Sequence, residues 1–322
     1  MTGLDETAKG VFAISATPFA EDGSLDLDST DRLIEFYLES GVTGLTILGV
    51  MGEAPKLAPD EAVAFTKRVL ATVANKVPVV VGVSSPAFNP MSALTRRVMD
   101  MGAAGVMVAP AGGLNTDEKI ENYFHAVCDL LNDVPIVLQD YPPSTGVWFS
   151  TALLNKLFAD LPSLKILKHE DWPGLRKVTQ FRAAEAAGDR RRVSILVGNG
   201  GLFLPQELAR GVDGAMTGFA FPEMLVRVCD MFAEGDRESA ENLFDAYLPL
   251  VRYEQQIGIG LAIRKETLRR RGVIASAATR APGPSLDAHD HAELTHLLAR
   301  LDRALATGDM DTSFYPPDFQ AA

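Results

Sequence analysis

Short apolar runs alternate with amphipathic stretches along most of the chain, and that alternation restricts the fold more than any other feature. Residues 11–16 are apolar and are stopped by Thr17-Pro18-Phe19. After Glu21-Asp22-Gly23 a helix is expected from Asp28, with Leu33, Phe36, Tyr37 and Ser40 on one face and Gly41 ending it. Further apolar runs fall at 43–48, 77–82, 105–109, 134–139, 164–168, 193–197 and 212–217. A helix signal follows each: Pro59 as a first helical residue, 91–101 closed by Gly102, then Thr116-Asp117-Glu118 ahead of Ile120, Phe124, Val127 and Leu131. Others start near Ser150 and after Pro173, span 202–209, and follow Pro222.

Runs this apolar belong to strands buried on both faces, and helical crossovers make such strands parallel. Eight units of about 20 to 35 residues predict a closed (β/α)8 TIM barrel. A doubly wound open sheet is the alternative, and the regular repetition favours closure. Beyond residue 235 the strands stop, and 239–252, 258–270 and 288–306 read as helices. The expected organisation is a barrel over residues 1–235, a helical appendix over 236–309 and a tail over 310–322.

The chain of 322 residues carries a net charge of −12, which argues against nucleic acid because no basic surplus exists to neutralise phosphates. No apolar run reaches the length of a membrane span, and the first residues lack the basic and apolar pattern of a secretory signal. The two cysteines, Cys128 and Cys229, fit reduced core thiols. A cytoplasmic protein with no membrane partner is expected. Of the five histidines, three lie beyond residue 288, so no metal cluster is expected at strand ends. Phosphate-binding loops, a dinucleotide fingerprint and a Gly-x-Ser-x-Gly elbow are all missing from the sequence, and no cofactor is expected.

A barrel places its chemistry at the carboxyl ends of its strands. The sixth run ends in Lys168-His169-Glu170-Asp171. Alternation points Ile166, Lys168 and, if the phase holds, Glu170 one way, with Leu167 and His169 the other. Burial disfavours a charged amine, and a neutral amine attacks a ketone to form a Schiff base. The competing reading is a lysine that closes a strand and reaches water. The second run leads into Gly49-Val50-Met51-Gly52-Glu53, whose glycines let backbone N–H groups approach an anion or simply make a tight turn. The fifth delivers Gln139-Asp140-Tyr141, the seventh Gly198-Asn199-Gly200-Gly201, and the eighth Met216 and Thr217.

With Thr17-Pro18-Phe19, Asp22-Gly23, Gly49-x-x-Gly52-Glu53, Tyr141 and Lys168 in this order, residues 10–305 resemble the dihydrodipicolinate synthase / N-acetylneuraminate lyase family. The resemblance implies a lyase that forms a Schiff base with a 2-oxo acid such as pyruvate or a 2-keto-3-deoxy acid. It makes Lys168 the Schiff-base lysine and Tyr141 the acid/base tyrosine. Val50 and Met51 would bind the substrate carboxylate through their amides, with Gly198 and Met216 lining the pocket. It also implies a homo-oligomer, a tetramer or a dimer.

The chain departs from the pattern at several points. Val50 and Met51 stand where the family has hydroxyl residues, Pro110-Ala111-Gly112-Gly113 replaces a tyrosine, and 141–146 has no arginine. These departures favour an aldolase or dehydratase over condensation of pyruvate with aspartate semialdehyde. They leave Glu170 as a candidate base in place of the lost relay. A 2-oxo-acid binding protein without turnover is the third reading.

Overall fold

Eight parallel strands close on themselves in chain order: β1 (Gly10–Ile14), β2 (Gly44–Ile47), β3 (Val79–Gly82), β4 (Gly105–Val108), β5 (Ile136–Asp140), β6 (Leu164–His169), β7 (Ser194–Val197) and β8 (Gly214–Thr217). The computed structural model describes residues 3–306 apart from Pro173, and the tail expected at 310–322 lies outside them. Each strand pairs in parallel with its neighbours, β8 returning to β1. The closed barrel expected from the sequence is the fold found, and the open-sheet alternative falls away.

Strand alternation divides the apolar side chains into two layers. Phe12, Val80, Met107, Ile166, Leu196 and Met216 belong to the cluster that fills the barrel, with Leu4 of the amino-terminal segment packed into it. Their outward neighbours, Leu167 among them, join a larger cluster shared with the helices. A bulge sets the phase of β6. Leu164 lies opposite Ile136 and Ile166 opposite Val137, so Lys165 takes the extra position. From there Gln139 pairs with Lys168 and Asp140 with His169. Lys168 therefore points inward with Ile166.

The helices form where caps and apolar faces coincide. α1 (Leu27–Glu39) starts a residue earlier than expected, because the Asp26 side chain caps it by accepting from Ser29 N. α2 (Pro59–Val73) has Pro59 at its first position. α3 (Phe88–Asp100) begins three residues before position 91, ahead of the amphipathic stretch that signals it. α4 (Asp117–Leu131) and α6 (Thr151–Asp160) are capped by Thr116 and Ser150. Between them α5 (Pro142–Thr145) is a single turn to which the sequence assigned no element. α7 (Leu175–Ala186), α8 (Leu204–Leu208) and α9 (Pro222–Glu234) complete the ring.

α10 (Arg237–Glu254), α11 (Gly260–Arg270) and α12 (Ala288–Ala306) follow. Arg264 of α11 is buried, with Nε 2.5 Å from Glu254 Oε1 and Nη2 donating to Gly218 O beyond β8. A side chain on Gly218 would overlap that guanidinium, so the close approach needs glycine. This contact fixes α10 and α11 against the rim that carries the strand ends. Among the described residues no helix is long and apolar enough to cross a membrane.

Candidate active site

The inward phase of β6 puts Lys168 at the top of the barrel, 4% exposed, with Nζ 2.6 Å from Glu170 Oε1. The lysine does not reach past the rim into water. Gln139, its register partner on β5, donates from Nε2 to the same carboxylate oxygen at 2.8 Å. Glu170 N donates to Asp140 O at 2.9 Å and Asn199 Nδ2 to Glu170 O at 3.1 Å, so the backbone carrying the carboxylate is held from both sides. A methyl group on Gly198 would overlap the Glu170 side chain. Gly198 thus gives the carboxylate its room.

Two buried opposite charges with an added hydrogen bond sit in a low local dielectric, where each charge depends on the other. An amine and a carboxylate at this separation can exchange a proton directly. Tyr141, half-buried just before α5, belongs to the same electrostatic environment. Burial pushes its phenol above the ordinary value and the Glu170 charge pushes it further. The phenol is accordingly held as a proton donor at neutral pH.

The turn after β2 is one 3-10 turn, Val50–Gly52. Its internal hydrogen bonds begin with Gly52 N to Gly49 O and Glu53 N to Val50 O, so the amides of Val50 and Met51 have no acceptor within the turn. Thr17 Oγ1 donates to Gly52 O at 2.7 Å and fixes its outer end. The Val50 side chain is exposed, Met51 packs against the inner cluster, and Met216 is wholly buried there. After β7, Gly200 N donates to Thr217 Oγ1 at 2.8 Å, which occupies one N–H group that an anion site at 198–201 would use. Ser84 Oγ accepts from Ala109 N at 2.8 Å, tying β3 to β4.

Sequence reasoning assigned no role to Gln139. Its signal was present, since a polar residue in register with Lys168 on an apolar strand must share its side of the sheet. The outward residues of the same strands form a second polar group. His169 Nδ1 lies 3.5 Å from Asp140 Oδ2, and Lys177 of α7 bridges Asp140 and Asp171 at 2.8 and 2.9 Å. Glu207 of α8 is buried nearby, and loss of solvent pushes its carboxyl up to about 7 against the pull of His169 and Arg210. Among the described residues, Glu121, His125 and Asp160 are close enough together to hold a metal, but they sit on α4 and at the end of α6 and not at strand ends. Lys156 Nζ already occupies Glu121 at 2.5 Å.

Comparison with known proteins agrees with this architecture. Residues 7–301 match the model of the Dihydrodipicolinate synthetase family. The L-2-keto-3-deoxyarabonate dehydratase of Azospirillum brasilense is 31% identical over 298 residues, covering 91% of this chain and 94% of that protein. A 4-hydroxy-tetrahydrodipicolinate synthase of Xanthomonas campestris pv. campestris is 31% identical, covering 84% and 92%. Among solved structures, a dihydrodipicolinate synthase from Rhodopseudomonas palustris superposes with a TM-score of 0.91 at 49% identity, covering 93% of this chain and 100% of that one. YagE from E. coli K12, solved in complex with pyruvate, superposes with a TM-score of 0.82 at 25% identity, covering 91% and 98%. By fold, by sequence over nearly its whole described length and by kinship to lyases of 2-oxo acids, the chain belongs to the dihydrodipicolinate synthetase family.

Proposed function

We propose that the protein is a class I lyase that forms a Schiff base at Lys168 with a 2-keto-3-deoxy sugar acid and eliminates water from it. The observation carrying this reading is the buried Lys168–Glu170 pair, with Gln139 on the same carboxylate oxygen. Glu170 takes the ammonium proton, and the amine adds to the C2 carbonyl to give a carbinolamine. Glu170 returns that proton to the carbinolamine hydroxyl, which leaves as water and gives a protonated imine with the carboxylate free again. The imine draws electrons from C3, a C3 proton passes to a base, and the C4 hydroxyl leaves with a proton from an acid. Glu170 is the base and Tyr141 the acid in this scheme. Water then hydrolyses the imine and restores Lys168.

The substrate carboxylate lies on the Val50 and Met51 amides, with Gly198 and Met216 beside the reacting carbons. Elimination is favoured over condensation because Val50 and Met51 offer no hydroxyl relay and residues 141–146 offer no arginine for a second carboxylate. The dehydratase name of the Azospirillum relative supports the same choice. Condensation of pyruvate with aspartate semialdehyde is supported by the name of the 49% identical Rhodopseudomonas structure. The same reading makes the protein a cytoplasmic homo-oligomer.

The purified protein is tested with a panel of 2-keto-3-deoxy acids and, separately, with pyruvate plus aspartate semialdehyde. Water loss from a 2-keto-3-deoxy acid is expected, with little condensation. Release of pyruvate in place of dehydration makes it an aldolase. Efficient condensation overturns the dehydratase reading in favour of the synthase. Imine formation without any turnover leaves a binding protein.

A further inference from the structure

Glu53 closes the turn after β2 and is buried in a junction between the barrel and its appendix. Its Oε1 lies 2.6 Å from Nζ of Lys265, an α11 residue with 0% exposure. Its Oε2 lies 2.8 Å from Lys56 Nζ and accepts from Arg280 N at 2.9 Å. Lys265 donates also to Ala278 O at 2.8 Å and stands over the Phe19 ring. Arg280 covers the same ring, binds Gly23 O and pairs with both oxygens of Glu61 at 2.6 and 2.7 Å. The loop after β2, α11 and the chain between α11 and α12 thus meet on one carboxylate, and the Arg280 and Lys265 side chains extend the junction to the loop after β1 and the start of α2.

Glu53 itself is held in the left-handed backbone region, with φ of 54°. A non-glycine residue keeps that conformation only where its surroundings fix it. Burial pushes the Lys265 amine down from its ordinary value, and Glu53 pulls it back. A buried pair of this kind adds little net stability over an apolar pair, so its use lies in fixing geometry. What it fixes is one residue from Gly52, whose other restraint is Thr17.

We infer that Glu53 and Lys265 are positioning residues: through them the helical appendix holds the Val50 and Met51 amides in place to take the substrate carboxylate. The inference rests on the reading of that turn given under Proposed function. A ligand anion on two amides needs both N–H vectors fixed within a small angle. The appendix supplies that restraint without touching substrate, so loosening it weakens binding and leaves the amine at Lys168 competent.

The test uses Lys265→Met, which keeps the chain length over Phe19 and leaves Lys56 on Glu53, with Glu53→Gln as a second, isosteric variant. Arg237→Ala, an exposed pair on α10, serves as control. Hydrogen exchange is followed on peptides covering residues 48–56, with no ligand present. In parallel, pyruvate is titrated and the imine trapped with borohydride. Exchange in 48–56 is expected to quicken by about tenfold in both variants while the strand peptides keep their protection. Half-saturation by pyruvate is expected to rise by about tenfold, with the adduct yield at saturation unchanged. A fall in melting temperature with neither exchange in 48–56 nor half-saturation altered makes the pair merely structural and overturns the inference. A loosened turn with unchanged pyruvate half-saturation leaves the tether standing and overturns the reading of the turn as the carboxylate site.

Discussion

Replacing Glu170 by glutamine keeps the shape beside Lys168 and an oxygen for Gln139, but removes the proton acceptor. Glu170→Gln is expected to lower kcat by about 10² to 10⁴-fold, the usual span for a general acid or base. Tyr141→Phe should fall in the same span while retaining imine trapping, since it removes a donor and not the nucleophile. Steady-state kinetics beside borohydride trapping checks both; loss of trapping in Tyr141→Phe would count against its role. Gly198→Ala asks a steric question. The added methyl overlaps Glu170 and must displace it, so kcat should drop while circular dichroism stays native. Unaltered kcat would mean that the carboxylate's position is immaterial. At this scale the sequence was legible where alternation governs: the phase of Ile166, Lys168 and Glu170 follows from strand geometry. The pairing with Glu170 was legible only on condition that the phase held, because β6 ends at His169 and Glu170 lies one residue beyond it.

The elements of the barrel were readable because the strands are apolar over most of their length and most of the helices carry a cap or a stop. Their ends moved by one residue at α1, where Asp26 caps the helix, and by three at α3, which starts without a side-chain cap. The polar group outside β6 was not readable, since it assembles His169, Asp140, Lys177 and Glu207 from four elements. It gives α8 a pH dependence. The Glu207 carboxyl, raised to about 7 from an ordinary 4.5, favours the fold while protonated. That stability is fully present below about pH 4.5 and is lost as pH rises through about 7. It amounts to about 3 kcal/mol in order of magnitude, at 1.36 kcal/mol per pH unit. Glu207→Gln stays neutral throughout, so denaturant unfolding should find its stability falling less than that of the parent between about pH 5 and pH 8. Equal slopes in the two proteins would remove Glu207 from the account.

For the whole molecule, the family membership joins the barrel and the appendix in one described architecture, and the Arg264 and Lys265 contacts give that union a physical basis. Light scattering at micromolar concentration is expected to give a dimer or tetramer, and a monomer would contradict the oligomer reading. The central claim concerns one amine in the intact chain. Incubation with pyruvate and borohydride, followed by intact mass and peptide mapping, is expected to find one reduced adduct per chain, placed on Lys168, and none in a folded Lys168→Ala. Lys168→Arg should be equally silent, because a guanidinium stays protonated and offers no nucleophilic amine. An adduct mapped to Lys165 or Lys177, or trapping that survives Lys168→Ala, would contradict the account.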